Sequence, residues 1–282
     1  MTTIDATLRG AVAGAGDDLT LTLDPALQGL PDTAHGGSVL ALFDVLAARR
    51  GARALSGRYH RRVPLGVPLA LTLAREPDAL VCRVTDPAGG AVLVDGRVAA
   101  AVGALATAPR PDPDLATASP LPVSRTCFAC GIENPLGLRV RLGFDARAVG
   151  GAWTPRPGFR ESDGRLAPAA LTTLLDEAAF WLGALATGES GMTTELAVTL
   201  HGDVDADGPV LVTGERAAAR PRAGDSRYWE TRVSATDAAG RPLATAAITF
   251  VAVRGAARRL VTGLLALNPP DVLRRVFPAY CA

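Results

Sequence analysis

The sequence predicts an α+β fold built twice, each unit one long helix against an antiparallel sheet. Three observations predict it. The stretch Ala34-His35-Gly36-Gly37-Ser38-Val39-Leu40-Ala41-Leu42-Phe43-Asp44 is answered 132 residues later by Ala167-Pro168-Ala169-Ala170-Leu171-Thr172-Thr173-Leu174-Leu175-Asp176, which keeps the apolar frame and the acid but loses the His-Gly-Gly. Each of these segments precedes three or four strand-like runs. The turn Asp86-Pro87-Ala88-Gly89-Gly90 is echoed by Asp237-Ala238-Ala239-Gly240-Arg241 before each last strand. A period above 100 residues indicates duplicated domains rather than a solenoid, and one helix on one antiparallel sheet is an α+β layer pattern.

The elements follow in order. Residues 17–24 alternate polar and apolar as a strand does, and a Pro/Gly loop then leads into the His-Gly-Gly turn. A helix is predicted from Gly37 to Arg50, with Val39, Leu42, Phe43 and Leu46 on one face and Arg49-Arg50-Gly51 as a basic last turn and stop. Strands are predicted over 66–75, 79–85 and 91–105, the last two joined by the Asp86 turn. The proline-rich stretch from residue 107 reads as a semi-extended linker. The second unit has strands over 138–145 and 149–154, a helix over 168–186, and strands over 192–202, 209–220, 226–237 and 242–254. The helix carries Leu171, Leu174, Leu175, Ala178, Leu182 and Leu185 at helical spacing. These readings divide the chain into a first domain at 1–106, a linker at 107–126, a second domain at 127–254 and a helical tail at 255–282. The tail is a candidate to cap a sheet edge or to mediate association into a homo-oligomer.

Composition narrows the functions. At 282 residues with 48% hydrophobic side chains the chain can fill two cores. A formal charge of +1 provides no global field for nucleic acid or an anionic membrane. All 29 basic residues are arginine, which excludes a Schiff-base lysine and a phosphate-loop lysine. No apolar run approaches the roughly 20 residues that span a bilayer, and Met1 to Asp18 lacks a secretory signal pattern, so a soluble, cytoplasmic protein is expected. Cys82, Cys127, Cys130 and Cys281 are too scattered for a disulfide framework and are expected to be reduced. There is no Gly-x-Ser-x-Gly elbow, and residues 10–16 do not fit a dinucleotide fingerprint. No cofactor is expected.

The first helix start carries the chemistry. A thioester carbonyl attacked by water develops an oxyanion, and backbone N–H groups at a helix N-terminus supply donors and partial positive charge there. Gly36 and Gly37 let a substrate approach those amides, with His35 orienting the turn or contacting the acyl group; a tight turn alone is the other reading of two glycines. Asp44 and Asp176 lie at the border of their apolar stripes, where a carboxylate faces a cleft or plain solvent.

A strand, a His-Gly-Gly loop, a helix bearing an acid nine positions after the histidine and a meander of strands resemble the hotdog fold of the PaaI-like acyl-CoA thioesterase family. Cys127-Phe128-Ala129-Cys130-Gly131-Ile132-Glu133-Asn134-Pro135-Leu136-Gly137-Leu138 is similar to a lead-in of many such proteins. The resemblance covers roughly residues 15–105 and 127–254 and implies two hotdog domains in tandem. It implies that units pair and that a site takes helix-start amides from one unit and the helix acid from the other. Carried over, the working site is His35, Gly36 and Gly37 with Asp176, which acts as general base or as nucleophile. Its counterpart, Asp44 with Pro168, lacks a donor because proline has no N–H.

Further residues complete the expected site. Glu177 ranks behind Asp176, being about 100° around the helix. Phe43, Phe180 and Trp181 line an acyl tunnel or are plain core. Arg49, Arg50, Arg53, Arg58, Arg61 and Arg62 cluster after the first helix, where Arg58, Arg61 and Arg62 bind coenzyme A phosphates, contact an acyl carrier protein, or are simply solvated. Cys127-x-x-Cys130 has no second pair and no ligand-spaced histidine, so no metal is expected. His201 is read as structural. The expected activity is hydrolysis of an acyl thioester, with coenzyme A as part of the substrate rather than a cofactor. The rivals are a hotdog dehydratase or hydratase using His35 with Asp176 or Glu177, and a non-catalytic acyl-thioester binder.

Overall fold

The structure is a computed structural model that describes residues 2–16, 18–101 and 118–281. In chain order the first half contains α1 (Ile4–Gly10), β1 (Val12–Ala15), β2 (Asp18–Leu21), α2 (Gly36–Ala47), β3 (Arg53–Tyr59), β4 (Leu69–Arg75), β5 (Ala79–Thr85) and β6 (Val92–Ala100). The second contains β7 (Ser119–Pro120), β8 (Gly143–Phe144), β9 (Ala148–Trp153), α3 (Pro168–Thr187), β10 (Gly191–Leu200), β11 (Val210–Glu215), β12 (Arg220–Arg222), β13 (Asp225–Thr236) and β14 (Pro242–Ala252). The tail adds α4 (Ala256–Leu264) and α5 (Pro270–Val276). Most of the linker expected at 107–126 lies outside the described residues.

One antiparallel sheet joins both halves. Its order reads β2-β4-β5-β6-β3 in the first half and continues β10-β14-β13-β11-β9 in the second, so the two orders are mirror images about the β3·β10 seam. At that seam Leu55 opposes Val198 and Arg53 opposes Leu200. Pairing the two edge strands removes two unpaired ladders at once. Inside each curved sheet runs one buried helix, α2 against β3, β5 and β6, and α3 against β10, β11, β13 and β14.

The duplication extends to single hydrogen bonds. Before α2, His35 N–H donates to Leu27 O and Ala34 N–H to Val63 O; before α3, Ala167 N–H donates to Phe159 O and Leu166 N–H to Val204 O. The two Asp turns match as well: Asp86 Oδ1 accepts from Ala88 N–H and Asp237 Oδ1 from Ala239 N–H.

The structure departs from the sequence expectations at definite places. α2 stops at Ala47 rather than Arg50, because Ala48 takes a left-handed conformation (φ 52°) and Arg50 turns toward Glu161. β3 was hidden by its glycine and its arginines. The strand expected at 138–145 shrinks to Gly143–Phe144, because residues 138–140 bond instead to the cysteine loop through Leu138 N–H to Phe128 O and Val140 N–H to Ala129 O. α3 does reach bilayer-spanning length and apolarity, with 20 residues and a hydropathy of 1.3, contrary to expectation. Its apolar window is 83% buried in the protein, so the core accounts for it. Asn268 pins the tail down, accepting from Val123 N–H and donating to Val123 O.

Where α2 meets α3 the backbones nearly touch. A Cβ on Gly37 would lie 2.5 Å from Thr172 O, and the Thr172 hydroxyl donates to Gly37 O at 2.8 Å. The backbone of α3 cannot yield as a flexible side chain would. Gly37→Ala is therefore expected to lower stability by about 1–3 kcal/mol, read from the denaturant midpoint at constant m-value. An unchanged midpoint would show that the helices are free to separate there.

Candidate active site

Hydrogen bonding around the start of α2 brings four expected residues together. Asp176 Oδ2 lies 2.9 Å from Gly37 N and 3.1 Å from His35 Nδ1, and Asp176 Oδ1 accepts from the Thr193 hydroxyl at 2.6 Å. With Nδ1 protonated, the carboxylate accepts from the amide and the imidazole together. Three donors leave one of its roughly four lone-pair directions free. Gly36 N–H has no acceptor among the described residues, and Gly36 lines the cavity beside Asp176. Tyr59 fixes this turn by donating to Gly36 O at 2.6 Å.

Glu177 reaches the same histidine from the other side. Its Oε2 lies 3.6 Å from His35 Nε2, while its Oε1 accepts from Trp181 Nε1–H at 2.9 Å. Burial disfavours the imidazolium, but hydrogen bonds to Asp176 and Glu177 outweigh it and hold His35 well above its ordinary value. Burial would likewise push the Asp176 carboxyl up, yet His35, Thr193 and the Gly37 amide together hold it below.

These groups face a cavity of about 380 Å³. Its apolar wall includes Phe180, Trp181, Met192 and, from α4, Leu260 and Leu264. The helical tail therefore forms part of the cavity, with Phe277 against Trp181 at 6.3 Å between ring centroids. Arg61, Arg62, Arg125 and Arg259 also line it and are exposed. Arg61, Arg62 and Arg259 make no ion pair among the described residues, whereas Arg125 pairs with Glu133 at 2.5 Å.

Three expected site residues lie elsewhere. Phe43 is wholly buried against Gly96, where an added Cβ would stand 2.3 Å from its ring, so it serves the core. Arg58 points to the other face of β3 from Tyr59 and lies 3.6 Å from Glu195. Asp44 is held by Arg53, which donates to both its oxygens at 2.6 and 2.8 Å and also to Asp203 at 3.2 Å. Burial pushes the Asp44 carboxyl up, and the Arg53 guanidinium opposes it. Asp44 is thus taken up by ion pairs, and Pro168, which stands where α2 has Gly36, has no N–H.

Sequence reasoning missed Thr193, the hold of Tyr59 on the Gly36 turn and the contribution of the cysteine loop. Cys127 and Cys130 line the cavity, and the ligating atoms of His35, Cys127 and Glu177 lie within 4.8 Å of one another. A hydrogen bond from the Cys130 thiol holds Cys127 below the ordinary thiol range, while that bond and burial push Cys130 up. The loop is seated on the first half by Asn134 Nδ2, which donates to Ala26 O, and by Phe128 N–H, which donates to Gln28 O.

Neither a family model nor a curated protein matches the chain. Solved structures do match in fold. A candidate thioesterase II of Thermobifida fusca YX superposes with a TM-score of 0.61 at 18% identity, over 90% of this chain and 98% of that one. A hotdog-fold protein of unknown function from Alicyclobacillus acidocaldarius gives 0.59 at 14%, over 89% and 97%. GphF Dehydratase 1 gives 0.56 at 16%, over 83% and 93%. The fold is accordingly a double hotdog, and at these identities the likeness concerns fold.

Removing one partner of a buried pair strands the other charge. Arg53→Met is expected to cost about 3–5 kcal/mol in chemical denaturation by leaving Asp44 unpaired. A cost below about 1 kcal/mol would mean that water reaches Asp44.

Proposed function

We propose that the protein hydrolyses an acyl thioester, an acyl-CoA in the first instance. The observation that carries this reading is the Asp176 carboxylate beside an unbonded Gly36 N–H in one cavity, the two groups coming from different halves. The substrate carbonyl oxygen takes the Gly36 N–H, where the α2 N-terminus favours developing negative charge. Asp176 removes a proton from water as the water oxygen bonds the carbonyl carbon. Collapse of the tetrahedral intermediate breaks the C–S bond, and the departing thiolate takes a proton, leaving a carboxylic acid and a free thiol. Attack by Asp176 itself, through an anhydride that water then opens, uses the same positions.

Phe180, Trp181 and Leu260 suit an acyl chain, and Arg61, Arg62 and Arg259, which make no ion pair among the described residues, suit the phosphates of coenzyme A or of a carrier-protein arm. The resemblance to PaaI-like thioesterases agrees with this assignment, as does the fold shared with a candidate thioesterase II. A second reading is a hydratase or dehydratase, favoured by the His35–Asp176 couple at 3.1 Å and by the fold shared with a dehydratase.

Thiol release from a panel of acyl-CoAs separates the readings. Asp176→Asn is expected to lower kcat by about 10²- to 10⁴-fold, the usual contribution of a general base. Absorbance change on an enoyl-CoA without thiol release would favour the hydratase. Replacing Arg61 and Arg62 together with serine is expected to raise KM for acyl-CoA by about tenfold or more with kcat nearly unchanged, from loss of charge-assisted contacts. Equal KM values would remove these arginines from the substrate site.

A further inference from the structure

Three side chains with metal-ligating atoms converge at one wall of the cavity, and a fourth lines the same wall. His35 comes from the first half, and Cys127, Cys130 and Glu177 from the second. All four are nearly inaccessible, at 6%, 6%, 7% and 5% exposure. The ligating atoms of His35, Cys127 and Glu177 lie within 4.8 Å of one another; Cys130 stands outside that trio, its thiol interacting with Cys127 and Glu177. Donors on one tetrahedral zinc, bonded at about 2.0 Å through nitrogen or oxygen and 2.3 Å through sulfur, stand about 3.3–3.8 Å apart. The 3.6 Å between His35 Nε2 and Glu177 Oε2 already has that value.

The surroundings are built for such a group. Ala129 N–H donates to Cys127 Sγ at 3.3 Å, a bond that favours a thiolate. Gly131 N–H donates to Cys127 O at 2.8 Å, and a Cβ on Gly131 would stand 2.3 Å from that same oxygen, so the turn closing the Cys-x-x-Cys segment admits glycine alone. The outward-facing atoms of the other two ligands are occupied: His35 Nδ1 meets Asp176, and Glu177 Oε1 accepts from Trp181 Nε1–H. That leaves Nε2 and Oε2 for an ion, the arrangement in which outer carboxylates and donors orient metal ligands. The spacing rule sought a second pair along the chain, whereas the fold provides one from two distant helices.

The geometry points to a structural zinc site held by His35 Nε2, Cys127 Sγ and Glu177 Oε2, with the neighbouring Cys130 Sγ drawn in as the fourth donor. Four protein donors close the tetrahedron, so the ion is a clamp rather than a Lewis acid for substrate. It ties the turn before α2 to the cysteine loop and couples the two halves beside the cavity. Binding displaces the protons of both thiols and of Nε2, so affinity rises with pH. This inference goes beyond the thioesterase reading and stands or falls apart from it.

The test uses the full chain, stripped with a chelator and titrated with cobalt(II) and then zinc. Cobalt is expected to give thiolate-to-metal charge-transfer absorption and intense four-coordinate visible bands that zinc abolishes. Cys127→Ser and Cys130→Ser should each lose the charge-transfer intensity of one sulfur and weaken zinc binding by about 100-fold or more. Cys82→Ser, in the core of the first half, should change neither. Wild-type protein supplies an arm that no folding defect can mimic: iodoacetamide should modify Cys127 in the stripped protein and be blocked by zinc. Cobalt spectra without sulfur charge transfer, equal modification with and without zinc, or a Cys127–Cys130 disulfide in freshly isolated protein would each overturn the proposal.

Discussion

The molecule depends on one close approach, that of the Asp176 carboxylate to the first turn of α2. A helix start presents unbonded N–H groups, and here the partner that satisfies one of them, at Gly37, comes 139 residues later in the chain. Two constraints make the approach possible. The β3·β10 seam fixes one half against the other, and Gly37, having no Cβ, lets the α3 backbone come within van der Waals range of α2. The same carboxylate that completes the helix start also holds His35 and faces the cavity, so structure and chemistry rest on one group.

The two helix starts differ. The start of α2 meets Asp176 of the opposite half beside a cavity, with Gly36 N–H unbonded among the described residues. At the start of α3, Pro168 lacks the N–H and Ala167 stands where α2 has the histidine; Asp44, for its part, is bound by Arg53, which links on to Asp203 and, through it, to Arg165. A buried bidentate ion pair of that kind commits both oxygens of Asp44 to one guanidinium. It holds α2, β3 and the loop near residue 203 together, so Asp44 works as a joint.

Much of this was legible in the sequence, and the illegible parts have physical causes. The two long helices and the later strands follow apolar periodicity, which a single chain displays directly. Asp176 could be chosen over Asp44 because proline at 168 rules out a donor by covalent structure alone. β3 could not be read, since Arg53, Gly57 and Arg58 mask a strand whose arginines are stabilised by distant acids. Helical spacing ranks Glu177 second to Asp176 because neighbours on a helix diverge by about 100°; the imidazole of His35 sits between the two acids and presents a nitrogen to each. Spacing along the chain likewise could not show that the cysteine loop folds onto that histidine.

The most direct measurement of the central claim is a crystal structure of the protein with a non-hydrolysable acyl-CoA analogue, a ketone in place of the thioester. The account requires the ketone oxygen within hydrogen-bond distance of Gly36 N, the adjacent carbon facing Asp176, and the phosphates toward Arg61 and Arg62. An analogue bound on the outer face of the sheet beside Arg58, with the α2 start unliganded, would contradict it.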